Sequence, residues 1–223
     1  MSFVVAIDGP AGTGKGTITK LVSEELNLIN IDTGAMYRCV TLDMLNKGIK
    51  LEELDKIEKI LDTINIDMKN IDGNIKFFLN GIDVSTEIRT EKVNELVSPV
   101  SHIPVVRKNM VNLQRKMAEG KNVVMEGRDI GTNVFPNADV KIYLDASTEE
   151  RAMRRYKQEQ EKGSNVTFEE ILKNIIFRDE TDKNSDVAPL KLAEDAVLLD
   201  TTFLTIPEVK EKVIEIIKEK MDV

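Results

Sequence analysis

Cysteine, histidine and tryptophan are nearly absent from this sequence, which has one cysteine, one histidine and no tryptophan in 223 residues. With Cys39 alone, an internal disulfide framework and a cysteine-ligated zinc site are excluded. The lone histidine, His102, gives little support to catalysis by a histidine-containing triad. No apolar run approaches the ~20 residues of a membrane span, and no basic-then-apolar signal segment precedes the first strand. We therefore expect a reduced, cytoplasmic protein in which Cys39 belongs to a helix face.

Basic residues are also fewer than acidic residues. The sequence has 31 basic against 39 acidic residues, a net charge of −8, which argues against a broad nucleic-acid-binding surface. We expect no nucleic acid and no membrane among the partners, and a monomer. The length allows one α/β domain with a sizeable core and a small inserted unit.

Glycine, by contrast, is concentrated in one stretch near the N-terminus. This stretch reads Gly9-Pro10-Ala11-Gly12-Thr13-Gly14-Lys15-Gly16-Thr17. An apolar run at 3–7 precedes it and an amphipathic helical pattern at 18–26 follows it, which predicts strand, loop and helix. Such a loop directs backbone N–H groups and the positive end of a helix dipole at one point, and Lys15 adds a charge where β- and γ-phosphates would lie. The loop therefore predicts a polyphosphate site.

This loop departs from the strict phosphate-loop pattern at its last position. The pattern ends in a serine or threonine directly after the lysine, but here Gly16 stands there and the hydroxyl follows on Thr17. Thr17 could contact magnesium directly or through water, and we favour water because magnesium gives up its water shell reluctantly.

Helical and apolar strand patterns alternate along the chain, which is typical of a parallel α/β sheet. We predict a P-loop NTPase fold with a five-stranded parallel sheet flanked by helices, and the loop-bearing strand at its centre. Between residues 64 and 84 the apolar period changes to two, with turn signals at Asp72-Gly73 and Asn80-Gly81, which predicts a small antiparallel insert. We predict helices at 51–61, 91–96 and 105–118, with Pro99 and Pro104 breaking the path between the last two. The predicted organisation is a single domain over 1–223, an acceptor-side insert at 63–100 and a short helical lid at 151–184.

Arginines stand at two places suited to phosphoryl transfer. Arg128 and Asp129 follow the apolar strand at 122–126 and should face the ligand crevice at the carboxyl edge of the sheet. Arg151, Arg154 and Arg155 follow a capping box and share a helix. Their simpler interpretation is a solvated face paired with Glu150 and Glu159, but phosphoryl transfer depends on such positive charges held in position.

Taken together and in order, the motifs resemble those of the bacterial cytidylate kinases over essentially the whole chain. They are the glycine loop at 9–17, Asp32-Thr33-Gly34-Ala35-Met36-Tyr37-Arg38, Ile88-Arg89-Thr90, Glu126-Gly127-Arg128-Asp129-Ile130-Gly131-Thr132, Lys141-Ile142-Tyr143-Leu144-Asp145-Ala146-Ser147, and Arg178-Asp179 followed by Ala188-Pro189-Leu190. The resemblance implies transfer of the γ-phosphate of ATP to CMP or dCMP, with magnesium as the cofactor.

The resemblance also implies roles for particular residues. Those expected to contact CMP are Thr33, Arg38 and Arg128 at its phosphate, Ser98, Arg107 and Asp129 at the cytosine, Arg178 and Asp182 at the sugar, and Tyr37 beside them. The catalytic residues expected are Lys15, Arg128, Arg154 and Arg178, and the glycine loop with Arg151 and Arg155 would bind ATP. For Asp129 elementary chemistry agrees, because a carboxylate accepts from the cytosine amino group and cannot pair with the carbonyl of uracil.

One position differs from the family, and other functions stay open. Three residues after Asp182 the family usually has an arginine that helps recognise cytidine, whereas here Ser185 stands there, so selectivity against UMP should be weaker unless Lys183 substitutes. A P-loop kinase acting on UMP or on a non-nucleotide alcohol is the alternative function. A switch GTPase would use the same loop, but the sequence lacks the Asn-Lys-x-Asp and Asp-x-x-Gly motifs.

Overall fold

The computed structural model describes residues 2–72 and 74–221, which form two compact units. One unit combines residues 1–31 with 118–223, and the other extends from Asp32 to Met117. Within the described residues the strands are β1 Val4–Asp8, β2 Ile29–Asp32, β3 Ile66–Ile71, β4 Asn74–Leu79, β5 Ile82–Asp83, β6 Val123–Gly127, β7 Val140–Asp145 and β8 Val197–Asp200. The α-helices are α1 Lys15–Leu26, α2 Thr33–Asn46, α3 Leu54–Leu61, α4 Glu91–Ser101, α5 Pro104–Ala118, α6 Thr148–Glu161, α7 Phe168–Lys183 and α8 Ile206–Met221.

The first unit is built on a sheet with strand order β2-β6-β1-β7-β8. The pairs β1–β6, β1–β7 and β7–β8 are parallel. The predicted five-stranded parallel sheet with the loop-bearing strand at its centre is therefore confirmed. Every residue of β1 is buried, as expected for a strand with a neighbour on each side and helices over the sheet.

The core of this unit lies where the sheet meets α1 and α8. Ile7 and Leu144 of the sheet pack in one cluster with Val22 of α1 and Ile217 of α8. Burying an aliphatic side chain of this size stabilises the fold by about 1.5–3 kcal/mol. This packing fixes the strand that leads into the glycine loop and the helix that leaves it.

The second unit contains the antiparallel sheet β3-β4-β5, which confirms the predicted insert. Its second turn lies at Asn80-Gly81, where both residues have positive φ (51° and 84°), as a tight hairpin turn requires. The first predicted turn includes Gly73, which lies outside the described residues. Cys39 is buried on α2, in the helical position expected for it.

Two helix predictions in this unit need correction. The third helix begins at Leu54 instead of Leu51. More notably, α4 does not end before Pro99 but continues through it to Ser101. A proline in the last turn of a helix removes one N–H donor, and here both Pro99 and Glu95, whose carbonyl loses its partner, are exposed to water. Solvent can therefore satisfy the carbonyl, and Ser98 lies inside the helix instead of in a loop.

In the first unit, α6 and α7 form a helical pair with its own small core of Ala152, Ile171 and Ile175. The N-terminus of α6 is capped as the sequence predicts, with Ser147 Oγ accepting from Glu150 N, and α7 begins with a reciprocal capping box at Thr167. Ile176, which fits the apolar period of α7, is 43% exposed. Among the described residues, none of the helices combines the length and the apolar character needed to cross a bilayer.

Candidate active site

The glycine loop leaves the carboxyl end of β1 and passes directly over the backbone of β7. Gly9 adopts φ +146°, and a Cβ added there would lie only 2.0 Å from the carbonyl oxygen of Leu144. That separation is far below contact distance, so the loop can follow this path only with glycine at its start. The loop ends at Gly14, which precedes the first turn of α1.

Lys15 folds back into the loop. Its Nζ donates to the carbonyl oxygens of Gly9 and Pro10, both at 2.7 Å, and to Thr13 Oγ1 at 3.3 Å. The side chain is buried, and burial lowers its pKa well below the usual value, with a further contribution from the positive charge of Arg128. The acidic groups of Glu126, Asp8 and Asp182 oppose this lowering of the pKa. An anion placed on the loop would favour the charged form of Lys15 in the same way.

The position that lacks the expected hydroxyl has a carboxylate beside it. A Cβ at Gly16 would lie 3.1 Å from Glu126 Oε1, at the end of β6. The same oxygen accepts a hydrogen bond from Thr19 Oγ1 at 3.3 Å, which holds it over the first turn of α1. Thr17 is exposed. The oxygen donor set next to the loop is therefore a carboxylate and the Thr17 hydroxyl, both of a type that magnesium binds.

A second carboxylate ties the loop to the segment after β6. Asp8, the residue before Gly9, accepts hydrogen bonds from the backbone N–H groups of Ile130 and Gly131, both at 2.8 Å. These two residues begin a π-helical turn over Ile130–Val134. Burial raises the pKa of Asp8 to about 6, although the two amide bonds act in the opposite direction. The turn is thereby fixed against the start of the loop.

Arg128 and Asp129 lie between β6 and this turn. Arg128 Nε donates to Asp182 Oδ2 of α7 at 2.8 Å, so two residues predicted to bind CMP form an ion pair. Asp129 is buried, and its Oδ2 accepts from Asn133 Nδ2 at 2.8 Å. This bond spans one turn of the π-helical segment and restricts the orientation of the carboxylate.

The arginines of α6 have different surroundings. Arg154 is half-buried, and its guanidinium donates to Glu150 Oε1, to both oxygens of Thr201 and, at 3.4 Å, to the carbonyl of Thr13 in the loop. Arg155 is half-buried, as is Arg178 on α7. Arg151 is buried, and its guanidinium donates to four oxygen atoms of the protein. The sequence predicts a direct contact of Arg151 with ATP, and these bonds occupy most of its N–H groups.

The remaining residues predicted to bind CMP belong to the second unit. Thr33 is buried in the first turn of α2. The guanidinium of Arg107 lies over the ring of Tyr37, 5.8 Å from its centroid. Arg38 donates to the carbonyl of Ile88 and to Asn94 Oδ1.

The side chain of Ser98 has a polar atom that its surroundings do not satisfy. Its Oγ is buried and has no hydrogen-bond partner, although the Ser98 carbonyl accepts from Ser101 Oγ at 2.8 Å and lies 2.7 Å from His102 Nδ1. A buried hydroxyl without a partner is costly, so it indicates a group that a bound molecule would satisfy.

Sequence reasoning did not assign functions to Asp8, Glu126 or Asp179, although all three carboxylates lie beside the predicted residues. A signal existed for the first two. Each stands as an acidic residue at the carboxyl end of an apolar strand, where an α/β sheet faces its ligand. Asp179 had no comparable signal, because its partner Arg151 lies 28 residues away on another helix.

Comparison with known proteins decides between the open functions. The family model described as "Cytidylate kinase" matches residues 5–219. The chain belongs to the cytidylate kinase family. It is 52% identical to the cytidylate kinase of Fusobacterium nucleatum over 99% of this chain and 98% of that protein. It is 47% identical to that of Carboxydothermus hydrogenoformans (98% and 99%) and 44% identical to that of Bacillus subtilis (97% and 96%).

Solved structures bear on the fold of this cytidylate kinase family member. TT1252 from Thermus thermophilus matches with a TM-score of 0.51 at 14% identity, covering 98% of this chain and 97% of that chain. A gluconokinase from Sinorhizobium meliloti 1021 matches with a TM-score of 0.50 at 12% identity, covering 97% and 92%. At such identities the likeness concerns the fold alone.

Proposed function

We propose that this protein transfers the γ-phosphate of ATP to CMP or dCMP, giving ADP and CDP or dCDP. The observation that carries the proposal is the path of the glycine loop, which passes over β7 at Gly9 and ends at the N-terminus of α1 with Lys15 folded into it. Backbone N–H groups at such a helix N-terminus, together with a lysine, favour a polyanionic ligand. Family membership supplies the identity of that ligand.

The donor is held by the glycine loop. Its backbone N–H groups and the N-terminus of α1 receive the phosphates of ATP, and Lys15 exchanges its carbonyl partners in the loop for phosphate oxygens. We assign Gly9 to Thr17 to ATP binding, together with Arg155. Arg154 reaches the loop at the Thr13 carbonyl and is the arginine that we place at the transferring phosphate.

The acceptor is CMP, bound by the residues that the sequence predicts. We assign to it Thr33, Tyr37, Arg38, Ser98, Arg107, Arg128, Asp129, Arg178 and Asp182. Asp129 determines base choice, because its carboxylate is buried and oriented by Asn133 and can only accept hydrogen bonds when ionised. The cytosine amino group donates to it, whereas the O4 carbonyl of uracil would face it with a second acceptor.

The reaction needs charge stabilisation more than acid–base chemistry. An oxygen of the CMP phosphate, already ionised at neutral pH, forms a bond to the γ-phosphorus, and the bond from that phosphorus to the β–γ bridging oxygen breaks, leaving ADP. No proton must be removed from the attacking oxygen. Lys15, Arg128, Arg154 and Arg178 stabilise the negative charge on the equatorial and leaving oxygens.

Magnesium fits the donor set beside the loop. Glu126 and Thr17 are the residues that we propose hold it, through water, since Glu126 fills the space where the strict motif has a hydroxyl. When bound with ATP, the ion neutralises charge on the β- and γ-phosphates.

The test is ADP release from ATP and magnesium with CMP, dCMP, UMP, AMP, GMP or no acceptor. We expect turnover with CMP and dCMP to exceed that with the others. Asp129→Asn should lower the ratio of kcat/KM for CMP over UMP by about tenfold or more, because its amide can donate to the uracil carbonyl. Asp55→Asn, a change to an exposed carboxylate on α3, is the matched control. ATP binding without turnover of any nucleotide would overturn the acceptor assignment and favour a non-nucleotide alcohol.

The predicted lid and the predicted insert also have parts in the proposed reaction. We propose that α6 and α7, within the predicted lid at 151–184, move when ATP binds, and that the predicted insert at 63–100 serves the acceptor. A cytoplasmic location and a monomeric state remain predictions. Size-exclusion chromatography with light scattering tests the second.

A further inference from the structure

The guanidinium of Arg151 is almost fully hydrogen-bonded within the protein. The residue is 3% exposed, and four of its five N–H groups donate to oxygen atoms within 3.0 Å. A guanidinium with these bonds has at most one N–H group left to donate to a phosphate. The role of Arg151 must therefore be sought in the elements that it joins.

Those elements include the phosphate-binding loop. Arg151 Nη1 donates to the carbonyl of Ala11 at 3.0 Å, while Nε donates to the carbonyl of Ala146 and Nη2 to Thr148 Oγ1. The backbone of the loop also packs on the stem of the same side chain, since a Cβ added at Gly12 would lie 3.0 Å from Arg151 Cβ. A displacement of the loop at Ala11 and Gly12 is therefore transmitted to Arg151, because close-packed groups cannot move independently.

The opposite side of the guanidinium holds α7. Arg151 Nη2 donates to Asp179 Oδ2 at 2.6 Å in a buried ion pair. Asp179 lies next to Arg178 and three residues before Asp182, so it shares a helix face with Asp182. Asp182 pairs in turn with Arg128 at 2.8 Å. One face of α7 thus carries two arginine–aspartate pairs, one leading to the ATP loop and one to an arginine assigned to CMP.

Only one of the two carboxylate oxygens of Asp179 has a hydrogen-bond partner. Its second oxygen, Oδ1, is buried and has no hydrogen-bond partner. A buried carboxylate oxygen without a donor is unfavourable, so a small shift of α7 that offers it a donor would gain free energy. The Arg151–Asp179 pair can therefore change its geometry, with a shift of α7, when a ligand occupies the loop.

We propose that Arg151 is a positioning residue that transmits occupancy of the phosphate loop to α7 through Asp179. Because α7 carries Arg178 and Asp182, binding of ATP at the loop and binding of CMP are coupled through this pair. The identity of both nucleotides rests on the proposed function, whereas the link from the loop to α7 does not depend on the acceptor. Arg151 itself does not contact the phosphates of ATP.

The first test is hydrogen–deuterium exchange with and without a non-hydrolysable ATP analogue and magnesium. In the wild-type protein the analogue should slow exchange at 9–17 and also, by about fivefold, at 171–182. In Asp179→Asn the loop should still be protected but α7 should not, while Asp179→Glu should retain part of the α7 protection. The control is Asp195→Asn, which breaks the ion pair with Lys141 in the same unit and should leave both effects intact.

Thr148→Ala, which removes a single contact of Arg151, gives a milder variant if Asp179→Asn does not fold. A merely structural role would lower the unfolding temperature of the variants without altering the transmission to α7. Equal α7 protection in wild type and Asp179→Asn would overturn the inference, as would a wild type whose α7 does not respond to the analogue.

A second measurement addresses the acceptor. The affinity for CMP, measured with and without the ATP analogue, should rise in the wild type when the analogue is present, and this gain should fall by about fivefold in Asp179→Asn. The affinity for each nucleotide alone should change less than the gain does. Wild type that responds at α7 but does not bind CMP would refute the proposed function and leave the link from loop to helix standing.

Discussion

Protonation of the buried Asp8 carboxylate should change the free energy of unfolding of the protein. It is 5% exposed, and its two oxygens accept from the backbone N–H groups of Ile130 and Gly131. Desolvation is the largest influence on its pKa, which rises from 3.8 to about 6, while the amide bonds and Lys15 oppose the rise and the charge of Asp129 adds to it. We predict that Asp8→Asn abolishes a pH dependence of stability that the wild-type protein shows.

The direction in which stability changes with pH depends on which state, folded or unfolded, binds the proton of Asp8. Between pH 3.8 and about 6 the folded protein holds a proton at Asp8 that the unfolded chain has lost, so the free energy of unfolding falls as the pH rises through this window. A shift of about 2 units corresponds to about 3 kcal/mol in total, and most of it, about 2 kcal/mol, should appear between pH 4 and 7. The stabilising contribution is complete below pH 3.8 and lost above pH 6.

Asparagine has the same shape but no titrating group. Its amide nitrogen would face one of the two N–H donors, which costs about 1–3 kcal/mol at every pH. The wild-type protein should therefore be more stable than Asp8→Asn at pH 4, and this advantage should shrink by about 2 kcal/mol by pH 7.

Urea unfolding followed by far-ultraviolet circular dichroism measures both proteins at intervals of one pH unit. The comparison removes the contributions of the acidic residues that do not interact with Asp8, since Asp8→Asn leaves their surroundings unchanged. A difference in unfolding free energy that stays constant from pH 4 to 8 would show that the pKa of Asp8 is not raised, and the argument from burial would be wrong. The carboxyl carbon resonance of Asp8, followed by NMR, gives the pKa directly.

Three further substitutions test the site. Gly9→Ala places a methyl group 2.0 Å from the Leu144 carbonyl, so it should lower unfolding free energy by at least about 2 kcal/mol and abolish ATP binding; a calorimetric titration that shows normal ATP affinity would contradict this path of the loop. Arg154→Ala should reduce kcat by about 100-fold but ATP affinity by no more than about 3-fold, and equal losses would mean that Arg154 serves ground-state binding alone. Ser185→Arg should raise the ratio of kcat/KM for CMP over UMP by about tenfold, because it supplies a charge that Ser185 lacks; an unchanged ratio in the acceptor assay would discard the role assigned to this position.

Local patterns were sufficient for much of the fold. The run at 3–7 followed by the glycine loop specified a buried strand, a phosphate-binding turn and α1, because each of these depends on residues close together in sequence. The Asn80-Gly81 turn was predictable for the same reason, since both residues tolerate the positive φ that the hairpin needs. The alternation of strands and helices then required a parallel sheet, and right-handed crossovers left few possible strand orders.

Predictions based on single residues were less secure where neighbouring elements decide whether a helix ends or a side chain is buried. Pro99 was expected to break a helix, but its exposed position in the last turn made the missing hydrogen bond inexpensive. Ile176 fits an apolar period of α7, yet it lies 43% exposed, since periodicity gives the apolar face but not how far the neighbouring helix covers it.

The sequence by itself determined the strand, loop and helix at the phosphate site, the central place of β1 and the membership of the cytidylate kinase family, because these depend on short motifs and on their order. Only the tertiary structure decided which charges meet. Arg151 joins Ala11, 140 residues earlier in the chain, to Asp179, and Asp8 fixes a turn 122 residues later. Such contacts leave no local periodicity or spacing, and the pKa of Asp8 and the burial of Arg151 arise from packing that brings distant parts of the chain together.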